Sequence, residues 1–128
     1  MIVLDTSVLI DHLDGKTATN TFLRKQAARG PLLVPALASW ELWKGARTPQ
    51  ETARVERLLN AVIIDPLGPA IARLAGEMHV AHRARGEERP AFDLIIASHA
   101  LHHNCPIATR DRDYDGIEGL DVIHVGRA

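Results

Sequence analysis

The chain opens with Met1-Ile2-Val3-Leu4-Asp5-Thr6-Ser7, an apolar run that ends abruptly on a carboxylate. Ile2, Val3 and Leu4 are consecutive apolar residues, two of them β-branched, the pattern of a short strand buried on both faces. After it, Val8, Leu9 and Leu13 fall at helical spacing, so strand gives way to helix at Asp5. In an open α/β sheet that junction lies at the carboxyl end of a strand, where such folds carry their ligands. Asp5 is therefore either a helix cap or the seed of a site.

The same alternation continues outward. A second helix is expected over 17–29, with Ala18, Phe22, Leu23 and Ala27 on one side and Gly30 as its stop. Strand candidates follow at 31–34, 61–64, 106–108 and 120–125, and helices at 36–46, 49–60, 69–83 and 91–102. In the helix over 69–83, Ile71, Leu74, Ala75 and Met78 form an amphipathic stripe. Residues 84–89 and 110–119 read as charged and polar loops. Strands alternating with helices imply an α/β fold in three layers, a central parallel sheet of four to five strands flanked by helices. With 128 residues and no repeat or linker, one domain over 1–128 is expected.

Composition narrows the function. The chain is 46% hydrophobic and 24% charged, with 15 Lys and Arg against 16 Asp and Glu, a formal net charge of -1. No global positive field announces a polyanion partner, so any nucleic-acid contact must rest on a local patch or a metal. The single cysteine, Cys105, excludes an internal disulfide and suits a reducing cytoplasm; beside Pro106 it reads as a small buried hydrophobe. No apolar run approaches the roughly 18 residues of a membrane span. The N-terminus lacks the basic and small-residue features of a signal peptide, so a cytoplasmic location is expected.

Four acids sit where local structure would hold them still. Asp5 ends the first strand, and Glu41 lies within the apolar stretch Leu37-Ala38-Ser39-Trp40-Glu41-Leu42-Trp43. Asp93 falls in the first turn of the helix opened by Pro90, and Asp111 lies just past the strand that ends at Ala108. Taken singly, Asp5 and Asp111 suit helix caps, Asp93 suits a helix N-terminus, and Glu41 a solvated helix face. Two of the four follow strands of one parallel sheet and so point to one edge, which favours a single site. Carboxylates gathered there repel unless protonated or neutralised by a cation. All-oxygen ligands select hard ions, Mg²⁺ or Mn²⁺, over zinc. One such ion, or a pair about 3.5–4 Å apart, binds phosphate oxygens and activates water, which points to phosphodiester hydrolysis.

In order and spacing, Leu4-Asp5-Thr6-Ser7, Glu41-Leu42-Trp43-Lys44-Gly45, Asp93-Leu94-Ile95-Ile96-Ala97 and Thr109-Arg110-Asp111 with Asp113-Tyr114 resemble the PIN domain. More narrowly they resemble the VapC-type toxins of toxin–antitoxin pairs. The resemblance runs nearly the whole chain and implies a PIN-like fold and a Mg²⁺-dependent endoribonuclease. It also implies a homodimer, a small VapB-type antitoxin bound across the helices and active site, and a higher toxin–antitoxin complex. Carried over, Asp5 and Asp93 are the firmest metal ligands, with Glu41 and Asp111 completing the catalytic pocket and Thr6 and Thr109 hydrogen-bonding at it. Asp113 and Asp115 compete for the fourth position; Asp111 is preferred as nearest the strand end. The RNA cut, whether transfer, ribosomal or messenger, is left open.

Other residues compete for attention. His79 with His82, and His99 with His102, are i, i+3 pairs, but no cysteine or His-Glu-x-x-His pattern completes a zinc site. Trp40 and Trp43 suit stacking on unpaired bases, a partner groove or antitoxin contact, or else core packing or a dimer seam. Arg110 and Arg112 border the pocket as RNA or antitoxin contacts, whereas Arg83, Arg85 and Arg89 read as a solvated loop. A phosphatase with Asp5 as nucleophile resembles phospho-receiver domains in needing a late lysine, and Lys16, Lys25 and Lys44 are the only lysines. The non-enzymatic alternative is a PIN-like binding or regulatory module acting through a partner complex.

Overall fold

Five short apolar runs form the strands β1 (Ile2–Leu4), β2 (Leu32–Pro35), β3 (Ile63–Asp65), β4 (Ile107–Thr109) and β5 (Val122–His124). The structure is a computed structural model and describes residues 1–126. Between the strands lie α1 (Thr6–Leu13), α2 (Thr17–Arg29), α3 (Ala36–Gly45), α4 (Pro49–Asn60), α5 (Pro69–Ala84) and α6 (Ala91–His102). The expected elements are all present with ends shifted by a residue or two. The most consequential shift extends β3 to Asp65. The loop after β4, expected to be polar and irregular, also holds a 3₁₀ turn, Arg112–Tyr114.

All pairings are parallel and the strand order is β3-β2-β1-β4-β5. The chain builds from β1 out to β3 in one direction, then crosses back to lay β4 and β5 on the other side of β1. Right-handed crossovers that run in opposite directions place their helices on opposite faces, so both faces are covered. The reversal falls between β1 and β4, and the crevice beyond their carboxyl ends is where ligands bind in open sheets. Asp5 and Thr109 occupy that crevice.

Ile2, Val3, Leu4, Val34, Ile107 and Ala108 are buried, as expected of strands covered on both faces. The α6 segment Leu94-Ile95-Ile96-Ala97 is apolar nearly all round, and the helix is buried from Ile96 to Ala100. In α5, Ile71 and Ala75 are buried along the expected stripe. The α2 expectation fails in part: Ala18 and Ala27 are exposed, and Thr19 and Leu23 face inward. Polar ties to α1 set that rotation, since Thr19 donates to Asp11 at 3.3 Å and His12 bonds Asn20 at 2.6 Å. At the start of α4 the N-cap Thr48 accepts from the Glu51 amide, while Glu51 reaches one residue past the cap to accept from the Arg47 amide, a variant of the capping box. Cys105 packs half-buried against the core, and burial pushes its thiol above the ordinary value, as suits a structural residue.

Candidate active site

Asp5 has the backbone of an N-cap, and its carbonyl accepts from the amides of Val8 and Leu9. Its side chain does not cap α1. The carboxylate turns instead into the crevice, where three hydroxyls hold it. Tyr114 donates to Oδ1 at 2.9 Å, and Ser7 and Thr109 donate to Oδ2 at 2.9 and 2.8 Å. A carboxylate offers about four acceptor positions, so one on Oδ1 is left. Asp5 and Thr109 are both buried, and this fixed orientation compensates for burying a charge.

Two of the three donors are themselves aimed by backbone. The Arg110 amide donates to Ser7 Oγ at 3.0 Å, and the Asp111 amide donates to Thr109 Oγ1 at 2.9 Å. The Ser7 and Thr109 hydroxyls thus each accept from a backbone amide and donate to Asp5. Thr6, buried beside Asp5, donates to Glu41 Oε1 at 2.8 Å, which ties α3 to the same crevice.

Asp93 is half-buried in the first turn of α6. Its carboxyl is pushed up from 3.8 to about 6, first by burial and then by the charges of Asp5, Asp113, Asp111 and Glu41. The acids named from sequence therefore share one electrostatic neighbourhood, and Asp113 belongs to it beside Asp111. Asp111 also realises part of its plainer role, accepting a long 3.5 Å bond from the Asp113 amide at the head of the 3₁₀ turn. Among the described residues no three His, Cys, Asp or Glu side chains are gathered as a ready-made metal cage. The donor set nonetheless fits a hard cation. It is all oxygen, Asp5 retains an acceptor position, and neighbouring acids add to burial in raising Asp93.

Several residues at or beside this crevice escaped the sequence reading as individuals. Tyr114, the only tyrosine, is buried, and its phenol is pushed far above the usual range by burial and then by the charge of Asp5, so it remains a donor. The one signal was an aromatic residue stranded in an acidic loop. Arg89 was expected to be solvated but is mostly buried, donating to the carbonyls of Asp113 at 2.7 Å and Asp115 at 2.9 Å. It clamps the loop around Gly116, whose φ of +84° suits glycine and where a Cβ would lie 3.1 Å from the guanidinium. Arg83 and Arg85 fit the exposed reading better, bonded to His79 and Glu87 respectively. Arg110 pairs with Asp11, and Arg112 is exposed.

The histidine pairs resolve differently from the zinc geometry considered above. His99 Nδ1 and His103 Nε2 both bond the buried Asp65 Oδ2, at 2.6 and 2.8 Å, so the partner of His99 lies at i+4 rather than at His102. His82 bonds Glu87 at 2.7 Å. Core packing for the tryptophans is overturned: Trp40 is 52% and Trp43 43% exposed. Both project from α3 on the side away from buried Ala38 and Leu42.

Residues 2–120 match the family model of the PIN domain. Ribonuclease VapC10 of Mycobacterium tuberculosis is 35% identical over 109 residues, covering 85% of this chain and 81% of that protein. Ribonuclease VapC11 of the same organism is 31% identical over 124 residues, covering 91% of each. Among solved structures, VapBC2 from Rickettsia felis bound to a promoter DNA fragment superposes with a TM-score of 0.88 at 18% identity, over 98% of this chain and 99% of that one. FitAcB from Neisseria gonorrhoeae gives a TM-score of 0.83 at 24% identity, over 97% of each. Given a PIN-domain match over residues 2–120 and a relative 35% identical over most of both chains, the chain belongs to the PIN-domain family, among the VapC ribonucleases.

Proposed function

We propose that this chain is an endoribonuclease toxin that hydrolyses RNA phosphodiester bonds with Mg²⁺, or Mn²⁺ in its place, held among Asp5, Glu41, Asp93 and Asp111, with Asp113 close by. The observation that carries the reading is the Asp5 carboxylate, buried and fixed by three hydroxyl donors among further acids. Such an investment in orienting one anion is what a metal ligand requires, because ligating carboxylates are themselves hydrogen-bonded by surrounding residues. The bound ion supplies charge neutralisation at the phosphate and activation of water.

The chain's own groups do the rest. Ser7, Thr109 and Tyr114 hold the Asp5 carboxylate in one rotamer. Thr6 holds Glu41 toward the crevice with its second oxygen unclaimed by that bond, the place for an acceptor of a proton from water. Asp93, its carboxyl raised by burial and then by neighbouring acids, would serve as a ligand once a cation offset those charges.

Neutralisation by a small VapB-type antitoxin fits a second feature. Between α2 and α4 lies an open groove of about 670 Å³, with Leu23, Leu32 and Leu58 along its floor and Arg24, Arg54 and Arg57 at its rim. Several structural relatives are toxin–antitoxin complexes, some bound to DNA. A homodimer joined to antitoxin in a larger complex is the assembly proposed here.

The test is cleavage of single-stranded RNA by the purified protein in Mg²⁺ and in EDTA, beside Asp5→Asn. Cleavage that requires the divalent ion and vanishes in the folded variant is the expected result. Undiminished cleavage by Asp5→Asn would remove the reading.

A further inference from the structure

Trp40 and Trp43 stand one helical turn apart on α3, about half exposed, on either side of Glu41 in sequence. Lys44, at i+4 from Trp40 and i+3 from Glu41, lays its ammonium over the Trp40 ring, 4.6 Å from the centroid. Two flat apolar faces and a cation therefore lie within one turn of a carboxylate that reaches the candidate active site through Thr6.

We propose that Trp40, Trp43 and Lys44 form a stacking platform for unpaired RNA bases flanking the scissile phosphate, a substrate-positioning surface that rests on the ribonuclease reading. Base–indole stacking is tolerant of sequence and needs no groove, because every base presents a π-face. A lysine at the ring is placed to meet the backbone phosphate that accompanies a stacked base. The surroundings favour nucleic acid over protein. The centre of a protein interface is depleted of charge and extends over hundreds of square ångströms. Here Lys44 sits on the indole, and exposed Arg47 and half-exposed Glu41 lie close by in the chain.

The chain contains two tryptophans and both are on this platform, so tryptophan emission, excited where Tyr114 does not absorb, reports the platform alone. Full-length protein is titrated in Mg²⁺ with an end-labelled, cleavage-resistant phosphorothioate analogue of a single-stranded RNA and with the matching duplex. Label anisotropy gives binding and tryptophan emission gives stacking. Cleavage kinetics in Mg²⁺ and light scattering are run on Trp40→Ala, Trp43→Ala and Trp40→Phe. Expected are quenching that follows anisotropy for the single strand and is weak for the duplex, with KM raised about fivefold or more in the alanine variants. In those variants kcat changes far less, and Trp40→Phe recovers most of the loss. Unchanged emission at saturating anisotropy, or an unchanged KM in both alanine variants, overturns the platform while leaving metal-dependent cleavage standing. Loss of self-association in the alanine variants with KM unchanged assigns the face to a protein seam and overturns it equally. Absence of any cleavage by wild-type protein defeats the ribonuclease reading itself, a result that the platform variants do not produce.

Discussion

At the scale of single residues, the site is a problem in holding negative charge still. Among the described residues Tyr114 is the sole donor to Asp5 Oδ1, and Tyr114→Phe keeps the ring while removing that hydrogen bond. Supporting residues around a metal ligand are typically worth about 10- to 100-fold in metal affinity or activity. Tyr114→Phe is therefore expected to need about tenfold more Mg²⁺ for half-maximal cleavage, measured by titrating Mg²⁺ against rate, with its circular dichroism unchanged. Asp93 gives an opposite kind of test. Its folded-state carboxyl near 6 lies above the ordinary 3.8, so ionising it costs the metal-free fold. That stability is fully present below about pH 4 and is lost as pH rises through 6. In EDTA at pH 8, Asp93→Asn should thus be more stable than wild type by on the order of 1 kcal/mol, after allowing for solvent screening of a half-exposed group. Urea melts should show the difference closing by pH 4, although the same substitution abolishes cleavage in Mg²⁺.

At the scale of elements, what was legible in the sequence was what depends on neighbours in the chain. Buried parallel strands are apolar runs by necessity, so Ile2-Val3-Leu4 declared both the strand and its end at Asp5. The carboxyl-edge placement of Asp5 and Asp111 followed from the same pattern. Contacts that span the chain were not legible. Nothing local told that Arg89 would reach the carbonyls of Asp113 and Asp115, because its segment reads as a charged loop like any other. The pairing of His99 with His103 depends on where β3 places Asp65, 34 residues before His99. That carboxylate pins α6 to the edge strand, with His99 wholly buried and His103 about a quarter exposed. Truncation leaves two imidazoles without their acceptor, and breaking such a buried cluster typically costs about 2–4 kcal/mol. Asp65→Ala should lose that much in chemical denaturation, with amide exchange rising first in β3 and at the end of α6. A loss below 0.5 kcal/mol would show that the tie contributes little to docking β3.

For the whole molecule, the balance of charge limits how the proposed substrate can be held. A net charge of -1 gives no field able to draw RNA over long distances. The acidic crevice opposes a polyanion until a cation occupies it, so affinity must come from the ion, from stacking, and from a few cations at the rim. Arg110 is engaged with Asp11, which leaves Lys44 and exposed Arg112 as the nearest named contributors to phosphate neutralisation. For single strands, each neutralised phosphate contributes about -0.7 to the slope of log K against log salt. Two contacts then predict a slope near -1.4, much shallower than that of proteins that track a nucleic-acid backbone along a basic groove. Fluorescence anisotropy of a labelled, cleavage-resistant phosphorothioate analogue of a single-stranded RNA at fixed free Mg²⁺, across about 50 to 300 mM KCl, measures it directly. A slope of about -1 to -2 supports local capture by ion and indoles. A slope of -4 or steeper would require an extended basic track, which a second subunit or another partner would have to supply.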